Sequence, residues 1–131
     1  GEMDSFETLL NEAFSLYNNK LSRSSVNHLV RNFGSNYMKI LDYSRENKVW
    51  MEAIEGNSEV LQAEVIHAVR QEMACKLSDV VLRRTDLGSA GHPGKEALED
   101  CAKIMAKELG WSKNQVKKEL EETESCYNVK S

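Results

Sequence analysis

Apolar residues recur at steps of three and four along most of this chain, and a single proline interrupts its 131 residues. That period sets successive apolar side chains on one face of an α-helix, whereas a half-buried strand would alternate. The strongest case is Leu61, Val65, Ala68, Val69 and Met73, which predicts a central fourth helix after the turn at Gly56-Asn57-Ser58. Upstream, Phe6, Leu9, Leu10, Ala13, Phe14 and Tyr17 predict a first helix ending at Asn18 and Asn19. Val26, Leu29, Val30 and Phe33 predict a short second one. Ser22 or Ser24 can cap the second helix, Gly34 can stop it in the left-handed conformation, and Ser35 can cap a third on Tyr37, Ile40 and Leu41. The period fades from Ser44 to Asn47, so the stretch from Lys48 to Glu52 is expected to be extended or looped.

Downstream, Leu77-Ser78-Asp79 can cap a short fifth helix through Leu82, with Asp79 and Arg83 one turn apart as an ion pair. The run Gly88-Ser89-Ala90-Gly91-His92-Pro93-Gly94 reads as a loop. Ala97, Leu98, Cys101, Ile104, Met105 and Leu109 then predict a sixth helix ending at Gly110. Trp111 can pack under that turn, and Ser112 can cap a seventh helix carrying Val116, Leu120 and Tyr127. The seventh is otherwise charged, and Lys113, Lys117, Lys118, Glu119, Glu121 and Glu122 read as its solvated face. The expected fold is all-α, a compact bundle of about six or seven helices around one core, with residues 1–131 as a single domain.

The net charge of −4, from 21 acidic and 17 basic residues, gives no overall footprint for nucleic acid. No apolar run approaches the roughly 18 to 20 residues of a transmembrane helix, and the amino terminus lacks the pattern of a signal peptide. Cys75, Cys101 and Cys126 are odd in number and widely spaced, as expected for reduced thiols in a cytosolic setting. The leading Gly1 and Glu2, with no opening methionine, fit a segment of a longer chain.

Recognisable active-site patterns do not emerge. Gly88, Gly91 and Gly94 are not in G-x-G-x-x-G order and follow a predicted helix, not a strand. His28, His67 and His92 form no metal-ligand pair, although Glu64 and His67 share a helix face. Cys75 and Cys101 lie on or beside apolar stripes and are expected to be buried and inert. Catalytic, cofactor-binding and metal residues are therefore not assigned. What stands out is charge within and beside the most hydrophobic stretch: Glu64, Arg70, Glu72, Asp79, Arg83 and Arg84. Buried charges need partners, so Glu64, Arg70, Glu72, Asp79 and Arg83 are expected to form a structural network linking the fourth and fifth helices. The other reading turns some of them towards a missing domain. Adjacent helical residues point about 100° apart. With Arg83 turned to Asp79, Arg84 becomes the candidate for that domain interface.

These residues also carry a family resemblance. Asn27-His28-Leu29-Val30-Arg31-Asn32-Phe33-Gly34-Ser35 resembles an LVxxYGS segment, and Ala63-Glu64-Val65 with Ala68-Val69-Arg70-Gln71-Glu72-Met73-Ala74 resembles AE(V/I) and AVRxEMA. Leu77-Ser78-Asp79-Val80-Val81-Leu82-Arg83-Arg84-Thr85 is similar to LxDVLxRRT, and Met105-Ala106-Lys107-Glu108-Leu109-Gly110-Trp111 to MAxELGW. In order and spacing these resemble the helical C-terminal domain of FAD-dependent glycerol-3-phosphate dehydrogenases and alpha-glycerophosphate oxidases. The likeness spans residues 22–127, after a variable leading helix within 1–21. Lys76, where the family often has threonine, and a longer glycine-rich loop after Arg84 depart from it.

The resemblance implies a parent enzyme in which FAD takes hydride from glycerol 3-phosphate, giving dihydroxyacetone phosphate, with electrons passing to quinone or oxygen. It implies an FAD-binding catalytic domain of the same chain as partner, and no flavin position within this segment. It also implies a cytoplasmic location, with peripheral membrane attachment of the parent for quinone users. Two rival readings stand beside it. One is a helix-turn-helix DNA-binding domain over Ser22 to Leu41, and the other a free-standing protein-interaction module.

Overall fold

The computed structural model describes residues 7–12, 15, 21–56 and 59–128. The fold is all-α; among the described residues an isolated antiparallel bridge, Ala53 to Leu61, stands in for a sheet. Helix α1 is helical at residues 7–12 and 15, and the remainder of that expected stripe, Phe6, Ala13, Phe14 and Tyr17, lies outside the described residues. Then follow α2 (Arg23–Phe33), α3 (Tyr37–Leu41), α4 (Gln62–Gln71), α5 (Leu77–Asp79), α6 (Lys95–Leu109) and α7 (Lys113–Tyr127).

Several expected caps are made. Ser22 Oγ accepts from Ser25 N at 3.1 Å, and Ser112 Oγ accepts from Gln115 N at 3.1 Å. Each relieves one of the backbone donors that a helix start leaves unpaired. Gly34, at φ 55°, ends α2, and Gly110, at φ 73°, ends α6 with its N–H on Ala106 O at 2.8 Å. The Ser35 cap is not formed, because Gly34–Asn36 tightens into a 3-10 turn that runs straight into α3. Lys48–Met51 is likewise a 3-10 turn instead of an extended segment, started by Asn47 Oδ1 accepting from Val49 N at 3.0 Å.

Two departures reshape the interior. The expected single core is divided into two clusters. Val26, Leu29, Val30, Tyr37, Ile40 and Leu41 pack with Leu61 and Ala63, while Val65, Ala68 and Val69 pack with α5, α6 and Ile54. Helix α4 is buried on both sides and serves both clusters, so it is central in position as well as in sequence. The second departure is that α5 does not continue as an α-helix. Val80–Arg84 forms a π turn, in which Thr85 N and Thr85 Oγ1 both donate to Val80 O, at 3.1 and 2.9 Å.

Candidate functional site

Between the two cores runs a polar seam. His28 projects from α2, and its Nε2 lies 3.1 Å from Glu64 Oε1 on α4, while its Nδ1 is 3.6 Å from Asp86 Oδ2 in the loop after the π turn. Glu64 Oε2 also accepts from Leu61 N at 2.8 Å, so one buried carboxylate both starts α4 and fixes His28. Asn32, one turn beyond His28, donates to Asp86 Oδ2 at 2.8 Å. Only 8% of the His28 side chain and 2% of the Glu64 side chain reach solvent, which makes this a shielded pair.

The hydrogen bond to Glu64 raises the His28 pKa above its ordinary 6.5 against the opposing effect of burial, and the charges of Glu64, Asp86 and Glu59 add to the rise. A raised folded-state value means that the stabilisation is complete below pH 6.5 and is lost as pH climbs through that higher value. The melting temperature of the wild-type domain is therefore expected to fall as pH rises above 6.5 through the raised His28 value, and His28→Gln should flatten that slope. Equal slopes for the two proteins would remove His28 as the cause.

Arg70, near the end of α4, makes a second tie. Its Nη1 and Nη2 donate to Glu46 Oε1 and Oε2 at 2.9 and 2.7 Å, and its Nε donates to Glu108 on α6. The guanidinium also sits 5.1 Å from the centre of the Trp50 ring and 5.9 Å from that of Tyr43. This is the fork geometry that lysine cannot reproduce.

The charges do not form the expected α4–α5 network. Among the described residues, Glu64 and Arg70 reach α2, the Glu46 turn and α6 instead, while Glu72 is exposed and takes no part. The expected pairing of Asp79 with Arg83 is also replaced. The π turn inserts one residue into the helical repeat, which brings Arg84 Nε to 3.2 Å from Asp79 Oδ2 and leaves Arg83 exposed.

Glu119 escaped the sequence reading, which placed it on a solvated face. It is 1% exposed. Its Oε1 accepts from Leu77 N at 3.0 Å, and its Oε2 accepts from Gln115 Nε2 at 2.8 Å and Lys76 Nζ at 3.2 Å. A side chain of α7 thereby caps α5, a helix with no side-chain cap of its own. Cys75 is exposed, contrary to expectation, whereas Cys101 is buried and burial pushes its thiol pKa up, so it is held as an unreactive thiol. The glycine loop does not fit a dinucleotide phosphate: it follows helix α5, and its Gly88 N–H is already given to Val81 O at 3.0 Å.

The model of a family described as the C-terminal domain of alpha-glycerophosphate oxidase matches residues 3–116. The chain belongs to that family. A probable mitochondrial glycerol-3-phosphate dehydrogenase of Dictyostelium discoideum is 30% identical over 86% of this chain and 18% of its own length. A glycerol-3-phosphate dehydrogenase of Synechocystis is 28% identical over 90% of this chain and 22% of its own. A probable mitochondrial glycerol-3-phosphate dehydrogenase of Caenorhabditis elegans is 39% identical over 53% of this chain and 10% of its own. The chain thus spans about a fifth of the length of the first two. No solved structure matches.

Membership in this family gives the quoted motifs a physical meaning. His28 lies immediately before the first motif, Glu64 is in the second, Arg70 in the third, Asp79 in the fourth and Glu108 in the last. Each makes a side-chain tie described above, and those of His28, Glu64, Arg70 and Glu108 join separate elements. In this chain, therefore, the motif residues Glu64, Arg70 and Glu108 hold helices and turns together. Lys76, which departs from the pattern, pairs with Glu119 and Glu122, both beyond the matched residues.

Proposed function

We propose that this chain is the accessory C-terminal domain of an FAD-dependent glycerol-3-phosphate dehydrogenase, packing against a catalytic part of the same longer chain. That catalytic part holds FAD and oxidises glycerol 3-phosphate to dihydroxyacetone phosphate. The observation that carries this reading is the family match over residues 3–116, alongside relatives that bear the dehydrogenase name and are about five times longer than the shared segment. In this reading the parent is cytoplasmic, with peripheral attachment to a membrane if it passes its electrons to quinone. Among the described residues no helix is long and apolar enough to cross one. The helix-turn-helix alternative is not favoured: α3 has five residues, of which Tyr37, Ile40 and Leu41 are buried, leaving no face to read a major groove.

The test compares the 131-residue chain with a protein expressed from coding sequence extended upstream. The isolated chain should retain no FAD and reduce no dye with glycerol 3-phosphate, and the extended protein should do both. Dye reduction by the extended protein that is indifferent to glycerol 3-phosphate would overturn the assignment.

Packing against the catalytic part calls for a cation not already committed within the domain. The sequence gives that role to Arg84, but the π turn occupies Arg84 with Asp79, and the same reasoning now assigns it to Arg83. Arg83→Ala is expected to leave the melting temperature of the isolated domain within about 1 °C of wild type, as for an exposed side chain. In the extended protein it should speed flavin loss several-fold. Arg84→Ala should cost the isolated domain no more than about 1 kcal/mol. Unchanged flavin retention in Arg83→Ala would take Arg83 out of the interface.

A further inference from the structure

Helix α4 ends in a manner that ordinarily calls for glycine. Glu72 N and Ala74 N both return to Ala68 O, at 3.2 and 3.0 Å, and Met73 between them has φ 59°. In that left-handed conformation a Cβ crowds the backbone, so a methionine is strained where glycine would not be. Nothing in the described domain offsets the strain by burial, since Met73 is 84% exposed while Ala74 and Leu77 beyond it are buried at 3% and 0%. The side chain is therefore held outward on a fixed base: α4 behind it and the Glu119-capped start of α5 ahead.

We propose that Met73 is a docking knob that inserts into an apolar recess of the catalytic part of the same longer chain. This rests on the function proposed above. The occupant is argued from length: about four-fifths of each of the first two relatives lies outside the shared segment, and the matching model is described as a C-terminal domain. An unbranched thioether adapts to an irregular recess better than a branched side chain does. A bilayer is a poorer fit, because Glu72 beside Met73 is exposed and Lys76 is already engaged by Glu119 and Glu122.

The experiment measures peroxide oxidation of individual methionines by mass spectrometry, in the isolated chain and in the upstream-extended protein. Among the described methionines of the isolated chain, Met73 should oxidise fastest and Met105, fully buried, slowest. In the extended protein Met73 should slow by about tenfold or more, as a side chain moved out of solvent, while Met105 is unchanged. Met73→Gly should act with opposite signs: it raises the melting temperature of the isolated domain by about 3 °C and lowers the temperature at which the extended protein releases its flavin. Equal oxidation of Met73 in the two proteins would overturn the knob. So would protection that appears in the isolated chain as its concentration rises, which would assign the contact to a second copy. Glycerol-3-phosphate-dependent activity of the extended protein is scored separately, so failure of the knob and failure of the functional assignment are distinguishable.

Discussion

Replacing Glu119 by alanine is expected to destabilise the isolated domain by about 3 kcal/mol, a loss characteristic of breaking a buried, hydrogen-bonded charge. The carboxylate is 1% exposed and accepts from three donors on two elements. Its removal strands Leu77 N at the start of α5, where the residue is fully buried and water cannot substitute. It also leaves a cavity of several heavy atoms between α5 and α7. Glu119→Gln is the informative companion: one amide oxygen can still accept from Leu77 N, but the amide nitrogen then faces Lys76 and Gln115. An intermediate loss of about 1 to 2 kcal/mol is expected. Urea unfolding monitored at Trp111, which packs against the same cluster, gives both values. Losses below about 0.5 kcal/mol for Glu119→Ala would show that Leu77 N finds another acceptor and that the cap is dispensable.

Much of the helical layout was readable because it rests on local chemistry. The stripe from Leu61 to Val69, the Ser22 and Ser112 caps and the glycine stops at positions 34 and 110 are all signalled within one or two turns, whereas Met73, expected on the same apolar face, lies past the end of α4 and is exposed. Two of the misreadings share one cause, which is dependence on residues far away in sequence. Glu119 sits at a core position by spacing, three residues after Val116 and four before Thr123, yet its charge argues for solvent unless a partner 42 residues earlier is known. His28 and Glu64 are 36 residues apart, and Glu64 gives no local sign of facing a histidine. The π turn is subtler. Thr85 contributes a hydroxyl and an amide to the same carbonyl of Val80, and that single extra residue per turn exchanges the roles of Arg83 and Arg84. The division of the interior was in principle visible, since Ala63, Val65, Ile66, Ala68 and Val69 cover more of α4 than one packing partner can bury.

Gly88→Ala is expected to cost about 2 to 3 kcal/mol, because the new methyl has nowhere to go. An ideal Cβ at Gly88 would lie 2.6 Å from Tyr127 Oη, 2.9 Å from Val81 O and 3.3 Å from Val81 Cγ1. The first two are too close for carbon against oxygen. The two differ in how readily they yield. Tyr127 is on the last turn of α7, and its ring can swing. Val81 O belongs to the π turn and accepts from Gly88 N at 3.0 Å, so moving it breaks the contact that holds the glycine loop to α5. The Tyr127 hydroxyl is buried without a hydrogen-bond partner among the described residues, which raises the phenol pKa and makes the oxygen a liability even in the wild type. Tyr127→Phe alone should therefore be neutral or slightly stabilising, by up to about 1 kcal/mol. In the double variant the shortest contact disappears while the Val81 contact stays, so Gly88→Ala should be partly rescued, with a coupling of about 1 kcal/mol between the sites. The cycle is read from four melting or denaturant curves on the isolated domain. A Gly88→Ala protein as stable as wild type would mean that the loop after the π turn relaxes freely, and strictly additive losses would place the whole strain on Val81.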